Sequence, residues 1–377
     1  MLNSSIFLFV SQLSVLFFIP ILSRSYTVKE FAAYASFFSF YIIGSSLSNF
    51  RLSDAIVKEN KDNHPYLISI ILFLSANIAL FFGITSALYL GDIFYGGVFI
   101  FVSVFAYSVT RIYYFLDVFF ARFARASFWL SSINIFTVLF QYFFSFHENG
   151  LQLGLMSALL LTVLLQTNVI SLNLKLPALS NFNLLVKRNT GYIKYLTLYS
   201  LVGGLRSRMV YFFMDGSIMS GVLNQFEKVS NAPNNLISSI IRPVVFSKLN
   251  KEDIFGSEKI IGGLIFLLAS FVIPIIIIVY NNSEIIVNFL LGPQWVLYHN
   301  YFSLVVAVYM SYMCFNWLDR LFDVMLKQKY LFYMELALCC ISFMGLAIIS
   351  YLQLTDYFIF LHLSMLMLIM VFTFFVI

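Results

Sequence analysis

The residues best placed to do chemistry in this chain are charges and amides embedded in apolar surroundings. The stretch Leu201-Val202-Gly203-Gly204-Leu205-Arg206-Ser207-Arg208-Met209 runs on to Met214-Asp215. Soon after it, Asn224, Gln225, Glu227, Lys228, Asn231, Asn234 and Asn235 crowd a single segment. Arg24 and Arg51 stand at the ends of two earlier apolar runs. An ionisable group on an apolar helix is costly if it meets lipid, so it faces a partner or a polar path. Guanidinium groups along such a path could hold a diphosphate bidentately and would never lose their charge. On a helix, Arg206 and Arg208 project about 200° apart, so one faces the path and the other a neighbouring helix. Asp215 follows Arg208 on nearly the same face, and an Arg–Asp pair locking helices together is the competing reading. Glu227, Asn231 and Asn234 fall at i, i+4 and i+7, with Asn224 at i−3, which makes a polar stripe on one helical face. Pro233 predicts a kink in that helix. The stripe reads as cavity-lining; the alternative is a self-neutralising Glu227–Lys228 pair with amides bonding across helices.

Other chemistries find no footing. The histidines, at 64, 147, 299 and 362, are dispersed, and His362 reads as a packed residue. Cys314, Cys339 and Cys340 all lie in apolar segments without metal-ligand or redox spacing. The sequence carries no nucleotide-binding loop, metal cluster or nucleophile signature. No cofactor is therefore expected, and uphill transport would draw on an ion gradient or the membrane potential. Asp215 or Glu227 is the candidate carboxylate for coupling to H+ or Na+.

The elements that must position these groups are membrane spans. Of 377 residues, 61% are hydrophobic and 10% charged, with 45 Phe and 23 Tyr, and the mean hydropathy is +0.92. A soluble chain is nearer half apolar and a quarter charged. Runs of about 20 apolar residues, the length that crosses a bilayer, occur near 4–22, 33–50, 66–90, 93–115, 127–146, 151–172, 193–214, 218–245, 260–281, 297–316, 331–352 and 356–377. The first run carries Pro20 and leads into Ser23-Arg24-Ser25, which is not a small-residue cleavage site, so it reads as a span. With the N-terminus in the cytoplasm, the outward loops hold only Arg24 and Lys29, whereas the inward loops and helix ends hold 16 of the 22 Lys and Arg. Arg206, Arg208, Lys228 and Arg242 lie within the seventh and eighth spans. This bias predicts twelve spans with both termini cytoplasmic. It also explains the net charge of +5 without nucleic acid. The stretch 173–192 then links an N-terminal six-helix lobe, 1–172, to a C-terminal one, 193–377, an organisation typical of transporters built from repeats. A short echo supports the repeat: Ser45-Ser46-Leu47-Ser48-Asn49-Phe50-Arg51 ends the second span and Ser238-Ser239-Ile240-Ile241-Arg242 the eighth.

Four motifs resemble a known family. Phe18-Ile19-Pro20-Ile21-Leu22-Ser23-Arg24-Ser25-Tyr26-Thr27-Val28-Lys29-Glu30-Phe31 resembles the exit from the first helix of polysaccharide flippases, with Ala32 where Gly is usual. Phe50-Arg51-Leu52-Ser53-Asp54-Ala55-Ile56-Val57 resembles their exit from the second. The segment from Gly221 to Lys248, ending Pro243-Val244-Val245-Phe246, is similar to their eighth helix, and Phe289-Leu290-Leu291-Gly292-Pro293-Gln294-Trp295 to the turn before their tenth. The family is the O-antigen and capsule flippases of the multidrug, oligosaccharidyl-lipid and polysaccharide exporter superfamily, for which this chain is short. The resemblance implies an all-α fold of two six-helix lobes around a central cationic cavity, in a bacterial inner membrane. It implies a substrate of undecaprenyl-diphosphate-linked oligosaccharide, flipped from the cytoplasmic to the periplasmic leaflet. Arg24, Arg51 and Arg206 or Arg208 would neutralise the diphosphate, and Asn224, Glu227, Asn231 and Asn234 would hydrogen-bond sugar hydroxyls. Partners would be the lipid-linked oligosaccharide, membrane lipids and other polysaccharide-assembly membrane proteins, with no nucleic acid. The rivals are an O-antigen polymerase and a small-molecule antiporter of the same superfamily. The longest outward loop, 281–300, holds no Lys or Arg and is short for a polymerase.

Overall fold

The structure is a computed structural model that describes residues 2–169, 197–214, 216–249, 254–318, 328–354 and 356–376, with 172, 174, 175, 185 and 187–189. Among the described residues, helices and turns account for the whole fold. Twelve long helices follow in order: α1 Leu2–Ser25, α2 Val28–Leu47, α3 His64–Leu90, α4 Phe99–Phe119, α5 Phe123–Phe143, α6 Gly150–Val169, α7 Thr197–Phe213, α8 Ile218–Leu249, α9 Ile254–Leu290, α10 His299–Met313, α11 Gln328–Tyr351 and α12 Tyr357–Val376. Each expected span has its helix. The largest difference is at α9, which continues to Leu290 past a non-helical residue, Asn282. Among the described residues, eight spans are long and apolar enough to cross a membrane, and α1 and α12 add further apolar stretches. This is a multi-pass membrane protein. Among the described residues, α7 and α8, which carry embedded charges, fall outside that apolar set.

The chain forms two compact units, one of 1–14 and 34–208, the other of 15–33 and 209–377. The link expected at 173–192 lies largely outside the described residues.

In the first unit, Leu52, Ile56, Leu67, Ile71, Ile112 and Leu116 build a buried cluster from a one-turn helix, Leu52–Ala55, and from α3 and α4. The α5–α6 hairpin closes on Gly154. A Cβ there would lie 2.6 Å from the Gln141 nitrogen and 2.8 Å from its Cα, so only a glycine lets the two backbones meet. The Gln141 amide donates to the Leu151 carbonyl at 3.0 Å, satisfying a buried polar group at the same crossing. At the α4–α5 turn, the fully buried Asp117 carboxylate receives Nε of Arg125 at 2.8 and 2.9 Å. The pairing is what permits a carboxylate to be buried there.

The second unit is organised around the α1–α2 turn. Thr27 and Glu30 form a capping box at the start of α2: the Glu30 carboxylate accepts from the Thr27 amide at 2.6 Å, and the Thr27 hydroxyl accepts from the Glu30 amide at 3.3 Å. The turn before α10 docks onto it. The Gln294 side-chain amide donates to the Ser23 and Tyr26 carbonyls at 2.6 and 3.0 Å, and the Trp295 indole N–H donates to Ser23 at 3.0 Å. Trp295 is wholly buried against Phe31 and Phe226, with ring centroids 5.4 and 6.3 Å away. Gly221 admits α8 to the same junction, because a Cβ there would stand 2.4 Å from the Val28 oxygen and 2.7 Å from the Ala32 nitrogen.

Candidate functional site

Of the four arginines singled out by sequence, Arg51, Arg206 and Arg208 belong to the first unit and Arg24 to the second. Arg24 is exposed at the end of α1. Its guanidinium donates to the carbonyls of Phe289 at 2.7 Å and Asn288 at 3.3 Å, with a third bond to Pro20 at 3.0 Å. Those carbonyls lie in the last turn of α9, where the helix dipole is negative, so a fork of N–H donors caps the turn; Asn288 also accepts from the Gly292 amide at 3.1 Å. The Arg24 side chain runs alongside Gly292, whose φ of 103° is a conformation that favours glycine.

Arg51 sits in a strained turn. It and Phe50 have φ of 56° and 47°, which non-glycine residues rarely adopt. The turn is held by the Arg51 amide donating to the Asn49 side-chain oxygen at 3.0 Å. The guanidinium donates to the Ser200 hydroxyl of α7 at 3.0 and 2.8 Å and approaches Asp54 at 3.4 Å. Arg111 of α4 approaches the other oxygen of Asp54, also at 3.4 Å, and stacks on Phe115 with its guanidinium carbon 4.6 Å from the ring centroid. Two guanidinium groups thus share one carboxylate, leaving surplus positive charge in a half-buried cluster.

On α7, Arg206 is buried and engaged with its surroundings. Arg208 lies over the ring of Phe38 on α2, 5.2 Å from its centroid. It is also within electrostatic reach of Tyr34, whose hydroxyl meets Gln141. Asp215, the acid expected to follow Arg208, lies outside the described residues.

The polar stripe of α8 belongs to the second unit. Asn224, Glu227 and Asn234 are buried, and Asn231 is half-buried. The Asn234 amide donates to Asn231 at 2.8 Å and its oxygen accepts from Asn316 at 3.2 Å, tying the stripe to the end of α10. Glu227 has a different environment. It accepts the Tyr211 hydroxyl of α7 at 2.6 Å on one oxygen, and its other oxygen meets Nε2 of His362 on α12 at 2.8 Å. Three helices therefore converge on one buried carboxylate. Lys228, next in sequence, points its ammonium over Phe31, 5.7 Å from the ring centroid.

Sequence reasoning passed over Asp54, Arg111 and Ser200 as partners of Arg51, and Tyr211 and His362 as partners of Glu227. A signal existed for His362. It is an ionisable side chain on an otherwise apolar helix, and such a residue points to a partner. Among the described residues, no group of three or more His, Cys, Asp or Glu could hold a metal ion.

No protein-family model matches this chain, and no curated protein does. Solved structures do match. A lipid II flippase, MurJ, in an inward closed conformation superposes with a TM-score of 0.70 at 15% identity, over 98% of this chain and 87% of the other. An inward-facing multidrug resistance MATE family transporter of the MOP superfamily gives 0.67 at 11% identity, over 98% and 97%. A MATE protein in complex with MaL6 gives 0.58 at 9% identity, over 99% and 94%. The chain shares the all-helical fold of these proteins across nearly its whole length.

Proposed function

We propose that this protein flips undecaprenyl-diphosphate-linked oligosaccharide, an O-antigen or capsule repeat unit, from the cytoplasmic to the periplasmic leaflet of a bacterial inner membrane. The observation that carries this reading is the fold shared with a lipid II flippase over 98% of the chain. The embedded charges support the same reading. A diphosphate needs fixed cations along its route, and guanidinium meets it bidentately. Arg51 and Arg111 around the single carboxylate of Asp54 supply net positive charge where the second span ends. Arg206 and Arg208 add two guanidinium groups within α7. The amides of Asn224, Asn231 and Asn234 offer donors and acceptors for sugar hydroxyls, and a carboxylate on the same face couples movement to an ion gradient. Transport proceeds by alternating access of two six-helix lobes, 1–172 and 193–377. Other membrane proteins of polysaccharide assembly are its partners.

The arginines give the sharpest test. The double variant Arg206→Ala, Arg208→Ala is expected to abolish flipping while the protein remains in the membrane at its usual level. Full complementation by that variant would overturn the site. Deleting the gene tests the substrate. Loss of surface polymer with complete single units on the inner leaflet is the expected result, and polysaccharide cut to one capped unit would mean a polymerase. One matching structure is a multidrug resistance transporter. Unchanged polysaccharide would therefore move the case to small-molecule antiport.

A further inference from the structure

In the first unit, α7 lies along α2 and meets it turn by turn on one face. The Arg51 guanidinium donates to the Ser200 hydroxyl at 2.8 Å, a Cβ on Gly204 would stand 3.4 Å from the Ser46 hydroxyl, and the Arg208 guanidinium lies over the ring of Phe38 at 5.2 Å. Residues 200, 204 and 208 follow one another at helical-turn spacing, and their partners run back along the chain from Arg51 through Ser46 to Phe38. The two helices are therefore antiparallel, and Arg208 stands about 12 Å along α7 from Ser200 and the Arg51 cluster. Arg206 projects about 200° away from Arg208 and is 8% exposed, whereas Arg208 is half-buried.

Phe38 is the middle ring of a column on α2. Tyr34 stacks on it with centroids 5.4 Å apart and planes 22° apart. Tyr41 lies 5.7 Å from it and meets Tyr107 of α4 edge-on at 6.0 Å. Tyr34 and Tyr41 are 2% and 6% exposed, so buried rings brace a half-buried one. A ring face attracts a cation through its quadrupole, most strongly where water is excluded. When a guanidinium stacks on such a face, its N–H groups, which lie in its own plane, point outward from the rim. At Arg24, by contrast, the N–H groups themselves go to backbone carbonyls. Arg208 has further neighbours, with Tyr34 in electrostatic reach. What the ring adds to them is a fixed plane that takes up no conventional N–H···O bond.

Resting on the reading of the α7 arginines as diphosphate contacts, we propose that Phe38 is the positioning residue of Arg208. Its ring face fixes the plane of the guanidinium, so that the N–H edge is the part that meets the phosphate oxygens. Phe38 itself touches no substrate; it acts through Arg208, and the column of Tyr34 and Tyr41 holds it in place.

The test changes the charge on the ring face while nearly keeping its shape. In the full-length protein, Phe38 is replaced by phenylalanine carrying one, two or three ring fluorines, each of which draws electrons from the face and weakens its hold on a cation. Two quantities are read: the initial rate at which surface polymer returns when the gene is induced in the deletion strain, and the thermal melt of the protein in lipid nanodiscs. The rate should fall step by step, about fivefold from no fluorine to three. The melt should fall in parallel, and the series of melts should become flat in an Arg208→Gln background, which isolates the ring–guanidinium contact. Phe38→Tyr, which keeps a ring face, should retain most of the rate, and Phe38→Leu should lose at least as much as the trifluorinated ring. Level rates and level melts along the series would overturn the proposal in favour of packing by shape alone. Graded melts with a level rate, while Arg208→Gln still stops polymer return, would overturn it and leave the flippase reading standing. If Arg208→Gln restores polymer fully, the diphosphate role of Arg208 falls and the proposal falls with it, although graded melts would still report the stack.

Discussion

Arg24 and Arg51 occupy similar places in the chain, each at the end of an early span, yet the two units use them differently. In the second unit, Arg24 is spent on backbone. Three carbonyls accept its guanidinium, two of them in the last turn of α9. In the first unit, Arg51 is held by a hydroxyl and half of a carboxylate that Arg111 also claims. An arginine facing a helix C-terminus meets partial charges on neutral groups, which suits a structural lock. Two arginines facing one aspartate remain net cationic, which suits an anion. The lesson is that charge in a membrane protein must be read with its partners: the same residue type at the same kind of position fastens one unit and electrically biases the other.

The strongest way to break this contrast is to remove the scaffold that makes the second unit's junction rigid. Gly221→Ala would drive a methyl group into two backbone atoms of α2 that cannot rotate away. Overpacking of this kind costs about 3 kcal/mol, and loss of the folded, monodisperse protein in a thermal melt is expected. Gly154→Ala should do comparable harm in the first unit, where the obstruction is again backbone. Gly203→Ala is the control, since a Cβ there meets nothing within 4 Å. It should stay within about 0.5 kcal/mol of the native protein. Equal melts for all three would show that the glycine crossings do not govern stability.

How far these roles could be read from sequence depends on the range of each interaction. The twelve helices were legible because a span is a local property: twenty apolar residues declare themselves. The polar α8 is legible only through the inside–outside alternation of Lys and Arg, a chain-wide pattern that hydropathy misses. The motif at 289–295 was visible, but its purpose was not. Gln294 and Trp295 act on Ser23 and Tyr26, more than 260 residues away, and no spacing rule encodes such a contact. His362 read as packed for the same reason, because its partner Glu227 lies 135 residues earlier. The stripe on α8 was legible as a stripe, through its 3.6-residue period. Which of its members met an imidazole and which met an amide was decided by the helices that pack on it.

A smaller effect is expected from Arg24→Ala, and it sharpens the contrast directly. Losing the cap on α9 should cost about 1 kcal/mol, seen as a lower melting temperature with transport reduced only in proportion to the folded protein. Arg24→Lys should recover part of the loss, since an ammonium can meet one carbonyl but lacks the planar fork that spans two. An unchanged melt with transport abolished would reverse the assignment and make Arg24 a substrate contact.

The converse outcome is expected at Arg51, where the change in stability should be small. Half-exposed ion pairs at 3.4 Å contribute on the order of 0–1 kcal/mol, and removing Arg51 leaves Asp54 still paired with Arg111. The melt of Arg51→Ala should therefore stay close to that of the native protein. Its transport should nevertheless fall by about tenfold, the equivalent of one charge-assisted hydrogen bond of about 1.4 kcal/mol to an anionic substrate. Asp54→Asn separates charge from structure at the same place. It keeps an acceptor oxygen for one of the two arginines and turns an amide nitrogen to the other, while freeing their full positive charge. Transport equal to or above the native rate would follow if the cluster acts as a cationic landing point. A loss matching that of Arg51→Ala would mean instead that the Arg51–Asp54–Arg111 geometry matters and its net charge does not. In that case the first unit would use its arginine as the second uses Arg24.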